Sequence, residues 1–489
     1  MLDRADEHLR RWQQRESTAE EMIPLIGRLY RDNNVVTSIY GRRLVNQSAV
    51  DILRAHRFAR QVDETELPME QTLPLMQALT RLDLGAARLD IARLNARFQA
   101  SGREDLEQFL REELDELIGR GGQGRAAPQD VVLYGFGRIG RLIARILIGR
   151  ASSASGLRLR AIVVRKGSED DLAKRASLLR RDSVHGPFDG SIRLDEERGA
   201  IIANGTWIQV IHAEDPADVD YTAHGIEDAV VIDNTGRWRD EENLSRHLQS
   251  PGASRVVLTA PGKGSLKNIV YGVNHDQIDD EDRILSAASC TTNAITPIAA
   301  VMHDRFGIDH GHVETVHSYT NDQHLIDNFH RGERRGRSAA LNMVLTETGA
   351  AKAVAKALPE LSGKLSGNAI RVPTPDVSMA ILNLELDESP GSAEELNRLL
   401  RRESLEGTMH RQIDYIDSAE VVSSDLVGSR AAGVVDGLAT IVNGDQAILY
   451  VWYDNEFGYS SQVVRVVEHM TGSIPEKYPA VEQLEGVGA

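Results

Sequence analysis

The stretch Val131-Val-Leu-Tyr-Gly-Phe-Gly-Arg-Ile-Gly140 decides the fold of the larger part of this 489-residue chain. Its leading apolar residues predict a buried strand, and apolar residues at helical spacing over 142–147 predict a helix directly after it. Between them stands Gly-x-Gly-x-x-Gly, whose glycines Gly135, Gly137 and Gly140 let the backbone turn tightly and approach a pyrophosphate at the helix N-terminus. The pattern alone occurs by chance, but in this setting it indicates a dinucleotide site.

Strand-like runs alternate with helical segments on the C-terminal side of this stretch. They lie at Leu157–Val164, Trp207–Ile211, Ala229–Ile232 and Val256–Leu258. The alternation predicts an α/β fold with a Rossmann-type, doubly wound parallel sheet, which we assign to residues 130–289. Ligands of such sheets bind at the carboxyl ends of the strands, so Thr235, Gly236 and Thr259 are candidate cofactor contacts. Ordinary loop chemistry is the alternative explanation for these turns.

The only cysteine of the chain, Cys290, lies in Ser286-Ala-Ala-Ser-Cys-Thr-Thr-Asn-Ala-Ile-Thr-Pro297. Helical apolar spacing follows it, and Thr291, Thr292 and Asn293 are residue types that cap helices, so we expect the thiol at a helix N-terminus. The positive end of the helix dipole favours a thiolate there and lowers the pKa of the thiol. The sequence therefore predicts a nucleophile, with a small buried thiol as the alternative.

Longer strands replace the alternating pattern after Cys290. The apolar runs are Val313–Tyr319, Ile370–Leu386 and Ala447–Tyr453. They predict an α+β catalytic domain with a mixed or antiparallel sheet over residues 290–455, followed by a last helix, 456–472, that returns to the dinucleotide domain. His317 lies near the end of the first run, where a histidine usually has a structural role, but a nucleophilic thiol needs a proton acceptor within hydrogen-bond reach.

Residues 1–120 carry helical apolar patterns and no chemical motif. The clearest patterns cover residues 17–30, 50–58, 84–94 and 106–118, and Ser48 is a candidate N-cap of the second. We therefore predict an all-helical N-terminal extension of unknown role. The glycine-rich composition around residues 121–129 predicts a flexible linker to the dinucleotide domain.

The composition limits the functions that the chain can have. A formal net charge of -17 argues against general binding to nucleic acid or to anionic membranes, and no apolar run is long enough to span a membrane. The charged N-terminus lacks the apolar segment of a signal peptide, and one cysteine permits no intrachain disulfide. We expect a cytoplasmic protein, and no metal site is predicted.

Seven motifs between residues 130 and 472 resemble those of phosphorylating glyceraldehyde-3-phosphate dehydrogenases. In chain order they are Gly135-Phe-Gly-Arg-Ile-Gly-Arg141, Asp182-Ser-Val-His-Gly186, Ala288-Ser-Cys-Thr-Thr-Asn293, Thr315-Val-His-Ser-Tyr-Thr320, Thr348-Gly-Ala-Ala-Lys-Ala353, Arg371-Val-Pro-Thr-Pro375 and Trp452-Tyr-Asp-Asn-Glu-Phe-Gly-Tyr459. Several of these motifs are long and rare, and all seven occur in the family's order. The region before residue 120 has no counterpart in the common forms of that family.

The resemblance implies a mechanism for Cys290. Its thiol would attack the aldehyde carbon of D-glyceraldehyde 3-phosphate while His317 takes the proton, and hydride transfer to the nicotinamide of NAD or NADP would leave a thioester. Attack by inorganic phosphate would then release 1,3-bisphosphoglycerate. Such an enzyme serves glycolysis or gluconeogenesis, and the family implies a homotetramer.

The resemblance also implies which residues bind the ligands. The substrate phosphate and the incoming phosphate would be held by hydroxyl, backbone and guanidinium donors, namely Ser289, Thr291, Thr320, Arg335, Thr348, Gly349 and Arg371. The cofactor would contact the glycine-rich turn together with Arg138, Ile139, Thr259 and Asn455, the last of them near the nicotinamide carboxamide.

The end of the second strand departs from the NAD-using forms of the family, which carry an aspartate there. In this chain, Val164 is followed by Arg165 and Lys166. A carboxylate binds the ribose hydroxyls and repels a 2′-phosphate, whereas cations attract it, so we predict that the enzyme accepts NADP. The alternative is that both basic side chains point into solvent and that Glu169 or Asp170 binds the ribose.

Two other functions stay open at this point. An enzyme of the same chemistry that acts on erythrose 4-phosphate is the nearer one, although Thr320, Thr348 and Arg371 match the triose enzyme. The other is a non-catalytic regulatory protein that acts through the helical extension and a protein partner of unknown identity. Intact Cys290 and His317 argue against this second alternative.

Overall fold

The computed structural model describes residues 2–63, 65–124, 127–151 and 156–479, so Arg125 and Ala126 of the predicted linker lie outside the described residues. The chain divides into two compact units. The first comprises Met1–Pro128, Ser152–Gly156 and Gly472–Ala489, and the second comprises Gln129–Ala151 and Leu157–Thr471. The first unit therefore combines segments that are far apart in the sequence.

The N-terminal part of the first unit is mainly helical. Its helices are α1 (Leu2–Asn33), α2 (Ala49–Phe58), α3 (Arg60–Asp63), α4 (Met69–Leu79), α5 (Ile91–Ser101) and α6 (Leu106–Glu113), and its strands are β1 (Val35–Ile39), β2 (Arg42–Arg43) and β3 (Ala87–Asp90). The predicted helical region is thus confirmed. Ser48 is the N-cap of α2, where its hydroxyl accepts the N–H of Asp51 at 3.2 Å.

The second unit begins with a sheet whose order is that of a dinucleotide fold. Its strands are β4 (Gln129–Tyr134), β5 (Leu157–Val164), β6 (Ile192–Asp195), β7 (Ala200–Ala203), β8 (Thr206–His212), β9 (Ala229–Asp233), β10 (Ala253–Leu258) and β11 (Ile284–Ser286), with helices α7 (Arg138–Ile148), α8 (Asp171–Arg180) and α9 (Glu241–Leu244). The order is β11-β10-β9-β4-β5-β8-β7-β6, parallel from β11 to β8 and antiparallel beyond it. The predicted doubly wound parallel sheet is confirmed.

A second sheet follows, built from longer strands. The helices are α10 (Cys290–Phe306), α11 (Ala350–Ala357), α12 (Ala393–Glu406) and α13 (Phe457–Met470), and the strands are β12 (Ile308–Ser318), β13 (Val344–Glu347), β14 (Leu365–Val372), β15 (Ser378–Leu386), β16 (Ile413–Ile416), β17 (Gly433–Asp436), β18 (Ile441–Asn443) and β19 (Gln446–Tyr453). The last strand, β20 (Glu476–Tyr478), belongs to the first unit. The sheet is mixed, as predicted, in the order β13-β14-β12-β15-β19-β17-β16. The single run predicted over 370–386 is two strands, because Pro373 and Pro375 cannot donate to a ladder.

A small sheet corrects the prediction that the N-terminal extension is all-helical. Its order is β2-β1-β3-β20, so the C-terminal strand β20 pairs in parallel with β3. The segment Val35-Val-Thr-Ser-Ile39 of β1 is rich in β-branched residues, and the helix predicted over 84–94 is replaced by β3 and the start of α5. Residues 476–478 lie too far along the chain for local patterns to reveal this pairing.

The glycine-rich segment that predicts a flexible linker is hydrogen-bonded up to residue 123. Gly119 N–H donates to Asp83 O at 2.7 Å, and Gly122 N–H donates to Leu84 O at 2.8 Å. Gly119, Gly121 and Gly122 all have positive φ, which only glycine adopts without strain. These residues therefore form a fixed turn against the 83–84 segment.

Two apolar cores of the second unit meet at Cys290. In the first, Val131 of β4 packs in one cluster with Ile143 of α7 and Val463 of α13. In the second, residues of α10 pack with those of β15 and β19. Cys290 contacts both clusters, so the thiol lies between the parallel sheet and the mixed sheet.

Candidate active site

Cys290 is the first residue of α10, as the sequence predicts. Ser289 is the N-cap, and its hydroxyl accepts the N–H of Thr292 at 3.1 Å. The capping residue is therefore Ser289 and not one of the threonines after the cysteine. Its conformation places Cys290 in the first helical turn, close to the positive end of the helix dipole.

The imidazole of His317 faces the thiol. Cys290 Sγ lies 3.5 Å from His317 Nε2, and the other ring nitrogen, Nδ1, lies 2.8 Å from Ser318 O. Nδ1 contacts one acceptor, Ser318 O, and one donor, Arg371 Nη1 at 2.9 Å, so these contacts alone do not fix the tautomer. A base for the thiol requires the proton on Nδ1, which leaves the lone pair of Nε2 directed at the sulfur. The predicted nucleophile and base are thus brought together by the start of α10 and the end of β12.

Burial and one arginine set the electrostatics of this pair. Burial raises the pKa of the Cys290 thiol, while the Arg371 guanidinium and the Thr291 hydroxyl act to lower it. Burial and the charge of Arg371 lower the pKa of His317 to about 3. The imidazole is therefore neutral at physiological pH, as a proton acceptor must be. The helix dipole alone predicts a lowered pKa for the Cys290 thiol. The structure corrects this prediction, because burial between two apolar cores makes a charged thiolate costly.

Arg371 stands beside His317 because β14 pairs in parallel with β12. The register places Arg371 opposite His317, and Arg371 Nη1 lies 2.9 Å from His317 Nδ1 and donates to Ser318 O at 3.0 Å. Nη1 also lies 3.4 Å from the hydroxyl of Thr320. Arg371 Nε is buried and has no hydrogen-bond partner among the residues that the structure describes. An orphaned guanidinium donor of this kind fits an anion.

A second predicted phosphate-site arginine, Arg335, is joined to this group through Asp322. Arg335 Nε donates to Asp322 Oδ2 at 2.9 Å, and the hydroxyl of Thr320 also donates to Asp322. Asp322 therefore accepts hydrogen bonds from two residues that the family resemblance assigns to phosphate binding. Thr348 lies elsewhere, beside β14 at the start of α11, where its hydroxyl accepts the N–H of Ala350 at 3.2 Å. Gly349 is the N-cap of that helix.

Tyr453 is a site residue that the sequence did not single out. Its hydroxyl lies 3.0 Å from Thr291 Oγ1 and 2.7 Å from Thr315 Oγ1, and its ring packs edge-on against His317. The phenol is fully buried, so it links the residue after the nucleophile to the strand of the base. Its position at the end of β19, within one of the family motifs, is the signal that could have identified it.

Backbone strain lies next to the predicted nucleophile and base. Ala288 has a φ of 56° and Val377 has a φ of 60°, a conformation that is rare for residues other than glycine and rarer still for a β-branched one. The carbonyl of Ala288 accepts the hydroxyl of Tyr459 at 2.9 Å, and that of Val377 accepts the hydroxyl of Ser318 at 3.0 Å. These hydrogen bonds help to hold two strained residues in place beside the site.

The glycine-rich turn has the shape that a dinucleotide requires. Gly135 has a φ of 93°, and a Cβ on Gly140 would lie 2.5 Å from Gly135 O, so a side chain at either position is excluded. A Cβ on Gly137 would meet nothing within 4 Å, which leaves that face of the turn open. No side chain caps the N-terminus of α7 in the described structure, so its N–H groups, beginning with those of Arg138 and Ile139, are free to bind a pyrophosphate.

The side chain of Arg138 points into a charged cluster. Arg138 Nε donates to Glu456 Oε1 at 2.9 Å, and its other donors reach Asp182 and His185. Its predicted cofactor contact is therefore limited to the backbone at the start of α7.

His185 joins that cluster to the mixed sheet. Its Nε2 lies 3.1 Å from Asp376 Oδ2 and 3.2 Å from Asp454 Oδ2. Burial alone would lower the pKa of His185, but the contacts of its ring with the Asp376 and Asp454 carboxylates raise it to about 10. Burial, opposed by the contact with His185, raises the pKa of Asp376 to about 6. A charged His185 therefore bridges two buried carboxylates that would otherwise repel each other.

All the remaining predicted cofactor residues except Asn455 lie at the carboxyl ends of the parallel strands. Arg165 and Lys166 follow β5, are exposed, and make no side-chain hydrogen bond or ion pair with any residue that the structure describes. Thr235 and Gly236 follow β9, and Thr259 follows β10. In the segment between β19 and α13, Asn455 Oδ1 accepts the hydroxyl of Ser378 at 2.7 Å.

Comparison with known proteins agrees with this geometry. Residues 129–241 match the glyceraldehyde 3-phosphate dehydrogenase NAD binding domain, and residues 289–455 match the C-terminal domain of the same family. The chain belongs to the glyceraldehyde-3-phosphate dehydrogenase family. It is therefore an oxidoreductase whose parallel sheet is an NAD-binding domain.

Relatives within the glyceraldehyde-3-phosphate dehydrogenase family differ in how much of the chain they match. A glyceraldehyde-3-phosphate dehydrogenase-like protein of Pseudomonas aeruginosa (strain UCBPP-PA14) is 61% identical over 94% of this chain and 100% of its own length. The glyceraldehyde-3-phosphate dehydrogenases of Borreliella burgdorferi and Bacillus subtilis are 40% identical over 70% of this chain, and 99% and 97% of their own lengths. The N-terminal extension is thus shared, at least in large part, with the Pseudomonas protein. Among the described residues, no helix is long and apolar enough to cross a membrane.

Proposed function

We propose that this chain is a phosphorylating glyceraldehyde-3-phosphate dehydrogenase that works through a thioester on Cys290. The observation that carries the proposal is the placement of Cys290 Sγ 3.5 Å from His317 Nε2, with Arg371 on the other side of the imidazole. A nucleophile, a neutral base and an unpaired guanidinium donor are the groups that acyl transfer to phosphate needs.

In the first half of the reaction, Cys290 Sγ forms a bond to the aldehyde carbon and the thiol proton passes to His317 Nε2. The imidazolium returns this proton to the alkoxide oxygen, which gives a hemithioacetal and leaves His317 neutral, so that it can accept the hydroxyl proton in the next step. When bound, the nicotinamide supplies a hydride acceptor for the carbon-bound hydrogen. Loss of that hydride and of the hydroxyl proton leaves a thioester on Cys290.

In the second half, an oxygen of inorganic phosphate attacks the thioester carbon. The carbon–sulfur bond breaks, the acyl phosphate leaves, and His317 can return a proton to the thiolate. Arg371 supports this step because its buried Nε has no partner in the described structure and its charge stabilises anions. Ser289, Thr291, Thr320, Arg335, Thr348 and Gly349 are proposed as further phosphate-binding residues. For Arg335 and Thr320 this role requires Asp322 to release their donors.

We further propose that the enzyme accepts NADP as well as NAD. Arg165 and Lys166 are exposed directly after β5, where the adenosine ribose lies in a dinucleotide fold. Thr235, Gly236, Thr259 and Asn455 are proposed as additional cofactor contacts.

The proposed thioester chemistry requires Cys290 in its reduced form. This requirement favours the reducing cytoplasm as the location of the enzyme.

The proposal includes assembly of the enzyme into a homotetramer. Supporting it, the segment between β12 and β14, which includes β13, carries large apolar side chains that are at least half exposed: Leu325, Ile326, Phe329, Leu341, Met343 and Leu345. An apolar surface of this kind is typical of a protein interface.

Steady-state kinetics test the proposal. Reduction of NAD and NADP would be measured with D-glyceraldehyde 3-phosphate and with erythrose 4-phosphate, each with and without inorganic phosphate. We expect turnover of the triose that depends on phosphate, and loss of turnover in Cys290→Ser with cofactor binding retained. Sustained turnover without phosphate would indicate a hydrolytic enzyme, and a higher kcat/KM for the tetrose would assign the other substrate.

A further inference from the structure

Two buried side chains outside the catalytic centre, Asp233 and His247, lie at the cofactor-facing edge of the parallel sheet. Asp233 is the last residue of β9, and His247 lies in the helical turn after α9. Both side chains are fully buried, and His247 Nε2 lies 3.1 Å from Asp233 Oδ2. The reaction proposed above uses neither of them.

Asp233 connects two of the turns that face the cofactor. Its Oδ1 accepts both the N–H and the hydroxyl of Thr235 at 2.7 Å. Its main-chain carbonyl accepts both the N–H and the hydroxyl of Thr259 at 3.0 Å. A single residue therefore fixes the turns after β9 and β10.

His247 contacts Tyr134, the last residue of β4, which leads into a third turn that contains the glycine-rich motif. Its ring packs edge-on against Tyr134 and Trp238, with ring centroids 4.7 Å and 5.9 Å away. Tyr134 is directly followed by Gly135, where a Cβ would lie 3.0 Å from Thr235 Cγ2. The turns are so closely packed that a rotation of Asp233 or His247 would disturb all three.

We propose that Asp233 and His247 form a positioning pair that sets the affinity for the dinucleotide, an inference that rests on the proposed cofactor site. The hydrogen bond from His247 Nε2 holds the Asp233 carboxylate in the orientation that binds Thr235. His247 Nδ1 is buried and has no hydrogen-bond partner among the described residues, so the bond to Asp233 is the polar contact that orients the ring. Because the pair positions turns that face the cofactor, its loss should weaken the binding of the cofactor and leave the binding of the aldehyde unchanged.

His247→Phe tests the proposal, because phenylalanine keeps a ring against Tyr134 and Trp238 but removes the donor to Asp233. We expect the Kd of the cofactor, measured by calorimetry, and its KM to rise about tenfold, the effect of losing one hydrogen bond to a charged group. The KM of the aldehyde at saturating cofactor and the rate of Cys290 alkylation should stay unchanged. His247→Gln restores an amide donor and should stay within about threefold of wild type.

The matched control is His56→Gln, at another fully buried histidine, whose ring nitrogens bond to Ile52 O and Thr72 Oγ1 in the first unit. It should lower the thermal stability without changing cofactor affinity. An unchanged cofactor Kd in His247→Phe, or an equal rise in the aldehyde KM, would overturn the proposal. If His247→Phe does not fold, His247→Met, which also lacks a donor, replaces it. Because calorimetry needs no turnover, a wild type that binds cofactor but lacks activity would contradict the proposed function and not the positioning pair.

Discussion

At the scale of single residues, we expect the reactivity of Cys290 to depend on the charge of Arg371 as well as on His317. The guanidinium lowers the pKa of the thiol that burial raises. Arg371→Gln should therefore raise the pKa of Cys290 and slow its alkylation at neutral pH, with the pH profile displaced upward. Iodoacetamide labelling of the cofactor-free enzyme as a function of pH measures this effect.

Arg335→Gln is the control for this experiment, because the charge of Arg335 is paired with Asp322 and should affect the thiol less. A profile that moves equally in both variants, or in neither, would show that Arg371 has no special influence on Cys290.

His185 gives a prediction of how stability depends on pH. Its pKa is raised to about 10 in the folded protein, above the ordinary value of 6.5, so its stabilising contribution is complete below pH 6.5 and is lost as the pH rises through 10. His185→Gln should lower the free energy of unfolding by about 1.5 to 3 kcal/mol near pH 6.5, with a smaller difference near pH 10. Unfolding curves of both proteins across this range measure the difference.

His310→Gln, at an exposed histidine beside Asp309, should show no such dependence. If His185→Gln lowered the free energy of unfolding equally at pH 6.5 and pH 10, the stabilising contact with Asp376 and Asp454 would not depend on the charge of the imidazole.

At the scale of elements, the turn between β5 and α8 presents its basic side chains from a fixed backbone. Gly167 N–H donates to Asp171 Oδ1 at 3.2 Å, and Arg175 Nη2 donates to Arg165 O at 2.9 Å. Arg165→Asp should therefore change the charge of the turn without changing its backbone conformation. We expect the ratio of kcat/KM for NADP to that for NAD to fall about tenfold or more.

Lys174→Asp makes the same change in charge one turn into α8, where Lys174 Nζ lies 3.0 Å from Ser168 Oγ, and should alter the ratio less. A wild type that prefers NAD by more than about tenfold, with a ratio that Arg165→Asp leaves unchanged, would contradict the NADP proposal.

At the scale of the whole molecule, the first unit depends on the C-terminal segment. Strand β20 completes its sheet, Arg88 Nε donates to Pro475 O at 3.0 Å, and Tyr478 packs against its core. Deleting residues 473–489 should destabilise the first unit by about 2 to 4 kcal/mol, through lost ladder hydrogen bonds and lost burial of Tyr478. Turnover should remain, because the proposed catalytic residues belong to the second unit.

Calorimetric unfolding and turnover of the shortened chain check this prediction. The matched control is deletion of residues 480–489 alone, which leaves β20 in place. Equal stability of the two shortened chains would mean that β20 adds nothing to the first unit. Removal of residues 1–128 together with 473–489 should likewise leave an active enzyme, whereas removal of the N-terminal part alone would leave β20 without its sheet.

Local sequence patterns predicted the features whose causes are local. The glycine turn at 135–140 and the helix start at Cys290 are short motifs in which each residue type has a direct steric or electrostatic reason. The pairing of β20 with β3, the Asp233 to His247 hydrogen bond and the role of Tyr453 arise from residues far apart in the chain. Burial also reversed the expected direction of the thiol pKa, because the two cores that meet at Cys290 cannot be inferred from the sequence around it.

The proposed thioester on Cys290 can be observed in a single turnover without phosphate. Enzyme, cofactor and D-glyceraldehyde 3-phosphate would be mixed in phosphate-free buffer, and the peptide that contains Cys290 would be analysed by mass spectrometry after acid quenching. We expect a burst of about one reduced cofactor per chain, an acyl group on Cys290, and release of that group on addition of phosphate. Continued turnover without phosphate, or a burst that leaves Cys290 unmodified, would contradict it.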